Sequence, residues 1–181
     1  MNISKFEDSF KTSESIYYPE SIIENHNSNT NFTKILTFQW RRVWPKGRKN
    51  QQRILGNGPQ LAEKLSELLP KNILLRLIDT ASLPISEQIS ILRKTDYYVG
   101  LHGAGLTLSI FSPKECILHE VLPKSNMNGL LLLAALSGHK TYSDIIKSNK
   151  KYEDENEMIY FDEDKFVDKV IEHLKNDKVI E

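Results

Sequence analysis

Eight consecutive residues, Gly100-Leu101-His102-Gly103-Ala104-Gly105-Leu106-Thr107, combine bare main chain with outward polar hydrogens, which is what an anion site requires. Gly103 and Gly105 have no Cβ, so backbone can approach a phosphate closely. The segment follows a strand-like run, Asp96-Tyr97-Tyr98-Val99, and precedes an apolar run, Leu108-Ser109-Ile110-Phe111, that stops at Ser112-Pro113. A strand, a glycine turn and a helix in that order leave N–H groups and the positive end of a dipole at the turn. Thr107 adds a hydroxyl and His102 a ring N–H. Residues His102, Gly103, Ala104, Gly105, Leu106 and Thr107 are therefore expected to hold the diphosphate of a nucleotide. For His102, phosphate contact or loop support ranks above action as a general base. The pattern is neither a P-loop nor the G-x-G-x-x-G dinucleotide fingerprint.

A basic stretch lies upstream, with Arg41, Arg42, Lys46, Arg48, Lys49 and Arg53. Arginine presents a planar fork that matches phosphate, and cations at a leaving diphosphate stabilise its growing charge. Arg41 and Arg42 follow a predicted strand and Arg53 closes the loop, so phosphate contact is expected from this set. Lys46, Arg48 and Lys49 read as solvated surface. Trp40 and Trp44 among these cations could stack single-stranded bases, but nothing else supports that, and no nucleic-acid partner is expected. Asn57 is expected to bond a turn or a nucleotide base. Glu120, near a strand end on the glycine loop's edge, could accept ribose hydroxyls or face solvent. Glu87 and Gln88 fit a helix start, where capping ranks at least level with substrate contact, and Asp96 reads as structural. There is no Asp-x-Asp, and His26, His119, His139 and His173 have no ligand spacing, so neither a metal nor a cofactor is expected in the chemistry. Cys116 reads as a small core residue.

These groups need a scaffold, and the 181 residues suffice for one domain with a real core. Residues 1–33 are polar and read as a linker or the remnant of a preceding domain. From residue 34 to 181, apolar runs alternate between strand and helix character. Strands are predicted at 34–39, 72–78, 97–101, 116–122 and 140–145. Helices are predicted around Leu61–Leu69, after Pro84, over 104–111 and 129–136, and from an Asp162 cap onward. The alternation predicts an α/β fold, a Rossmann-like parallel sheet with helices on both faces. Ligands in such sheets bind beyond the carboxyl ends of the strands, the edge that carries the loops at Arg41–Asn57, His102–Thr107 and Glu120–Asn128. Lysine plus arginine (24) equals aspartate plus glutamate (24), so no net field draws the chain to polyanions. No run of about 18 apolar residues is present, and the N-terminus has no signal-peptide core.

The ordered series Glu87-Gln88, Thr95-Asp96, His102 to Thr107, Phe111-Ser112-Pro113 and Glu120-Val121-Leu122-Pro123 resembles the C-terminal part of the family 61 glycosyltransferases. That family includes plant arabinosyl- and xylosyltransferases of xylan. It also includes animal EGF-domain-specific and protein O-mannose-linked N-acetylglucosaminyltransferases. Arg53-Ile54-Leu55-Gly56-Asn57 with Leu61 resembles the family's arginine block. Pro59-Gln60, Leu108 and the glycine-free Ser112-Pro113-Lys114-Glu115 depart from its pattern.

The resemblance implies a GT-B architecture in which this chain is the C-terminal, donor-binding half, partnered by an N-terminal half-domain. It implies inverting, metal-independent transfer from a UDP-sugar to a hydroxyl on a glycan or glycoprotein, and it favours ribose binding for Glu120. A eukaryotic full-length member would work in the ER or Golgi lumen or at its membrane. A bacterial member would serve polysaccharide biosynthesis from the cytoplasm. The alternatives are a non-catalytic nucleotide-sugar-binding half, a truncated fragment, or a Rossmann-like module for an NAD-type ligand. The missing G-x-G-x-x-G argues against the last.

Overall fold

The computed structural model describes residues 15–27, 31–40, 54–123, 137–148 and 158–181. Among the described residues, five parallel strands form the body of the sheet: β2 (Lys34–Trp40), β4 (Ile73–Asp79), β5 (Tyr97–Leu101), β6 (Ile117–Leu122) and β7 (Lys140–Ile145). β1 (Ile16–Tyr17) adds antiparallel to the outer edge of β4, so the spatial order is β1-β4-β2-β5-β6-β7. The expected α/β fold with a mostly parallel sheet is what the chain adopts.

Burial explains the strand sequences. Every residue of β4, β5 and β6 is buried, which accounts for near-continuous apolar runs instead of alternation. The edge strand β7, with sequence KTYSDI, is polar and partly exposed, which suits an edge. The turn into β7 places Gly138 at φ 82, a conformation that favours glycine.

One face of the sheet is covered by α1 (Glu20–Asn27), α2 (Gly58–Leu68) and α4 (Glu163–Asn176). On α4, Phe166, Val170 and Leu174 recur every four residues and are buried, with Phe38 of β2 stacked 5.1 Å from Phe166. The predicted Asp162 cap is present, its carboxylate accepting from Lys165 N at 3.1 Å. The other face carries α3 (Ile85–Leu92) and a 3₁₀ helix (Ala104–Phe111) over Leu92, Tyr98, Leu106, Cys116 and Leu118.

Three features differ from the sequence-based expectation. The polar stretch before residue 34 is not wholly a linker: β1 pairs with β4, and Tyr18, Ile22 and Phe32 enter the core. A few apolar residues at the right positions suffice to dock it. The segment over 104–111 is 3₁₀ and not α-helical. Leu106 and Ser109 are its buried residues, and Leu106 N bonds Gly103 O at 3.0 Å, both with a three-residue period. A small parallel pair, β3 (Ile54–Leu55) with β8 (Met158–Ile159), lies outside the main sheet. The predicted helix over 129–136 lies outside the described residues.

Mid-strand in β4, Arg76 is 3% exposed. Its Nε donates to Thr37 Oγ1 at 2.9 Å and its Nη2 to Ile91 O at 2.8 Å and Thr95 Oγ1 at 3.2 Å, so the guanidinium ties β4 to β2 and α3. Burial pulls it down to about 10, which leaves it charged at neutral pH. Arg76→Ala is expected to destabilise the fold by about 2–4 kcal/mol in urea titrations, because it strands buried acceptors as well as losing bonds. Burial also pushes the Cys116 thiol up to about 12 from 9.0. The native thiol should therefore resist thiol reagents until the chain unfolds. Since the folded value lies above the unfolded one, its contribution to stability is complete below about pH 9 and is lost as pH rises toward 12.

Candidate active site at the strand carboxyl edge

The parallel strands occur along the chain as β2, β4, β5, β6, β7 but lie side by side as β4-β2-β5-β6-β7. The chain leaves β2 toward β4, then returns to the opposite side of β2 to build β5. Connections therefore diverge above the carboxyl ends of β2 and β5, which is where open α/β sheets bind ligands. The loop after β5 is the glycine segment, and the loop after β2 begins with Arg41 and Arg42. Both of these, and Arg53, lie outside the described residues.

One row across the sheet sets the loop's position. Gln39 of β2 registers with Gly100 of β5, and Gly100 with Glu120 of β6. Gln39 is 4% exposed, accepts the Tyr98 hydroxyl at 3.0 Å and donates to Thr80 Oγ1 at 3.2 Å. Its side chain fills the volume beside two glycines. A Cβ on Gly100 would meet Gln39 Cβ at 2.8 Å, and a Cβ on Gly105 would overlap the Gln39 amide. Gly105 is thus required by a neighbouring side chain, a reason beyond the ligand approach expected from the sequence. Gly103 has φ 165, ordinary extended backbone. Thr107 Oγ1 donates to Ala104 O at 2.6 Å, which closes the first turn of the 3₁₀ helix.

At the other end of the row, His102 continues the ladder through its N–H to Val121 O at 2.9 Å. Its Nδ1 lies 2.5 Å from Glu120 Oε1, with the side chains 12% and 2% exposed. A buried carboxylate on Nδ1 fixes ring orientation and leaves Nε2 as the ring's remaining polar atom. A charged imidazole so held donates to an anion from Nε2, and a neutral one with its proton on Nδ1 offers Nε2 a lone pair. Glu120, considered from the sequence as a ribose partner, thus has His102 as its neighbour.

Asn57 takes the structural one of its two expected roles, using both ends of its amide on Phe161, with Nδ2 donating to the carbonyl at 2.9 Å and Oδ1 accepting the N–H at 3.2 Å. It joins the start of α2 to the segment before α4. Asp96 is structural as expected, accepting from Ile35 N at 2.8 Å and Lys34 Nζ at 3.0 Å. Gln88 holds the turn after β4 through Thr80 O and Leu83 O, both at 2.7 Å. Trp40 packs over Gly58 and donates to Leu55 O at 3.0 Å, the packing role preferred over base stacking.

The family model for Glycosyltransferase 61 matches residues 6–118, which contain the glycine loop and most of the strands that support it. The chain belongs to the glycosyltransferase 61 family. The matched span ends two residues before Glu120, so the His102–Glu120 pair is a feature of the geometry as well as of the motif. Among similar proteins is the EGF domain-specific O-linked N-acetylglucosamine transferase of Drosophila melanogaster, 39% identical over 56 residues. Those residues are 31% of this chain and 11% of that relative.

The family's chain also groups residues that spacing alone left apart. His119 of β6, Asp144 of β7 and His173 of α4 bring ligand-type atoms within 4.8 Å of one another on the sheet face opposite Glu120. Sequence spacing could not reveal this, because the three come from different elements. Gln39 was likewise only a strand residue by sequence, and its role emerges from the loop it abuts.

Gly105→Ala should destabilise the chain by about 1–3 kcal/mol, since the displaced Gln39 amide loses its bonds to Tyr98 and Thr80. In a double-mutant cycle by chemical denaturation, Gln39→Ala should absorb much of that cost, giving a coupling of about 1 kcal/mol or more.

Proposed function

We propose that this chain forms the donor-nucleotide side of a glycosyltransferase, seating the diphosphate of a UDP-sugar above the carboxyl ends of β2 and β5. The observation that carries the reading is the His102–Glu120 pair at the switch point, beside a glycine loop held by Gln39. In this reading the N–H groups of Gly103, Ala104 and Gly105 and His102 Nε2 face the phosphates, while the Leu106 N–H and the Thr107 hydroxyl, bonded to Gly103 O and Ala104 O, hold the turn in shape. Arg41, Arg42 and Arg53 supply further cations from the neighbouring loop. An acceptor hydroxyl on a glycan or glycoprotein gives up its proton to a general base on the acceptor side and attacks the anomeric carbon with inversion as the bond to the β-phosphate oxygen breaks. Charge gathers on the departing UDP, where fixed donors stabilise it more than they stabilise the bound donor. Glu120 acts as a positioning residue by orienting the imidazole.

Family membership supports sugar transfer in general. The relative named for N-acetylglucosamine transfer to EGF domains supports a nucleotide-sugar donor, a protein or glycan acceptor and a secretory-pathway lumen as the place of action. Among the described residues no helix is long and apolar enough to cross a membrane. An N-terminal half-domain would complete the acceptor side, as a two-half GT-B architecture implies.

Calorimetric titration with UDP tests the reading. Saturable binding that persists in EDTA is expected. His102→Ala should weaken it by roughly 10–100-fold, as for a lost charge-assisted bond to phosphate. Glu120→Gln should weaken it by a smaller factor, about 3–10-fold, because the ring remains but loses its charged anchor. NAD should not compete. UDP affinity unaltered by His102→Ala in a folded protein would exclude this site.

A further inference from the structure

We propose that His119, Asp144 and His173 form a zinc site that fastens α4 to the sheet, separate from the sugar-nucleotide edge. Adjacent residues of a strand point to opposite faces, so His119 and Glu120 serve different sides of β6. His119 is wholly buried, and its Nδ1 lies 2.9 Å from the Tyr97 hydroxyl. That contact is the outer-sphere partner that orients a ligating imidazole and directs its other nitrogen. The other nitrogen, Nε2, lies 3.0 Å from Asp144 Oδ2 yet has no aligned hydrogen-bond partner. His173 Nε2 reaches the same oxygen at 2.5 Å. Its ring is fixed by stacking on Tyr142 at 3.7 Å and edge-on packing with His119 at 4.8 Å.

Two imidazoles and a carboxylate converging from three elements match the donor set zinc prefers. Donors around a tetrahedral zinc stand about 3.3 Å apart, so small rotations admit the ion. Magnesium and calcium favour all-oxygen shells and fit poorly. Asp144 and His173 keep 16% and 10% side-chain exposure, which gives an ion and a fourth, water ligand a way in. A nearby cation is Lys169, whose Nζ lies 3.9 Å from Asp144 Oδ1 and 2.7 Å from Glu172 Oε2. Glu172 offers it a resting place when a dication takes the aspartate.

The test is zinc titration of the EDTA-treated, desalted full chain, read by calorimetry and thermal unfolding. Asp144→Asn and His173→Gln variants, confirmed as folded by circular dichroism, are titrated alongside. One zinc per chain is expected, with Tm raised by about 5–10 °C at free zinc near one hundred times Kd. Each variant should bind more than about tenfold more weakly. Cobalt in place of zinc should give the intense visible absorption of a four-coordinate ion in the wild type, a readout that does not depend on the variants' folding. Wild-type chain with neither a zinc-dependent Tm shift nor a cobalt spectrum would overturn the proposal. Zinc binding equally tight in both variants would overturn it too, by assigning the ion to other histidines.

Discussion

The buried amide of Gln39 occupies the space that side chains at Gly100 and Gly105 would need, and much of the carboxyl edge follows from that exclusion. With the amide held by Tyr98 and Thr80, the chain leaving β5 closes tightly over it. That closure carries Leu106 into the apolar pocket with Tyr98, Cys116 and Leu118, and the segment winds with a three-residue period to stay there. His102 is consequently the last residue of the β5 chain still tied to the ladder before it turns away. Its ring meets Glu120 because the two stand two residues apart in register and so share a face. The candidate site is thus a by-product of packing: a polar brace between two central strands decides where a glycine turn can lie.

β6 divides the molecule's polar chemistry between two faces. Glu120 faces the glycine loop, and His119, one residue earlier, faces α4. Buried charge is expensive unless paired, and each of these groups has an opposite or hydrogen-bonding neighbour supplied by another element. Asp144 is held well below the ordinary carboxylate range, to about 2, first by its contact with His119. Burial moves His119 in the other direction, below the usual imidazole value. The two clusters lie back to back across a single sheet, close in sequence yet screened by a layer of backbone.

The scaffold was legible where a residue's environment follows from its own neighbours. The runs that became β2, β4, β5 and β6 are apolar because both faces are covered, and the Asp162 cap declares itself by type and position. Family resemblance rested on residues around the glycine loop, and the family model matches that region. What stayed hidden depends on distant partners. The docking of Ile22 and Phe32 was obscured by the polar residues around them. Asn57 had two open readings, and its structural partner, Phe161, lies over a hundred residues away. The grouping of His119, Asp144 and His173 requires strand order and helix placement together, which spacing does not encode.

The late position of α4 along the chain has a consequence for synthesis. Phe38 lies in one of the earliest strands, yet its aromatic cover, Phe166, follows every strand of the main sheet. The Asn57–Phe161 clamp spans a similar distance. During translation, at roughly 5–20 residues per second, the sheet's α4-facing side stays open for several seconds after its strands have left the ribosome. Over that interval the nascent chain is a substrate for chaperones and for wrong pairings. Premature termination between Ile145 and Glu163 would yield a sheet covered by α1 and α2 but bare where Phe166, Val170 and Leu174 pack, fit for degradation and not for partial function.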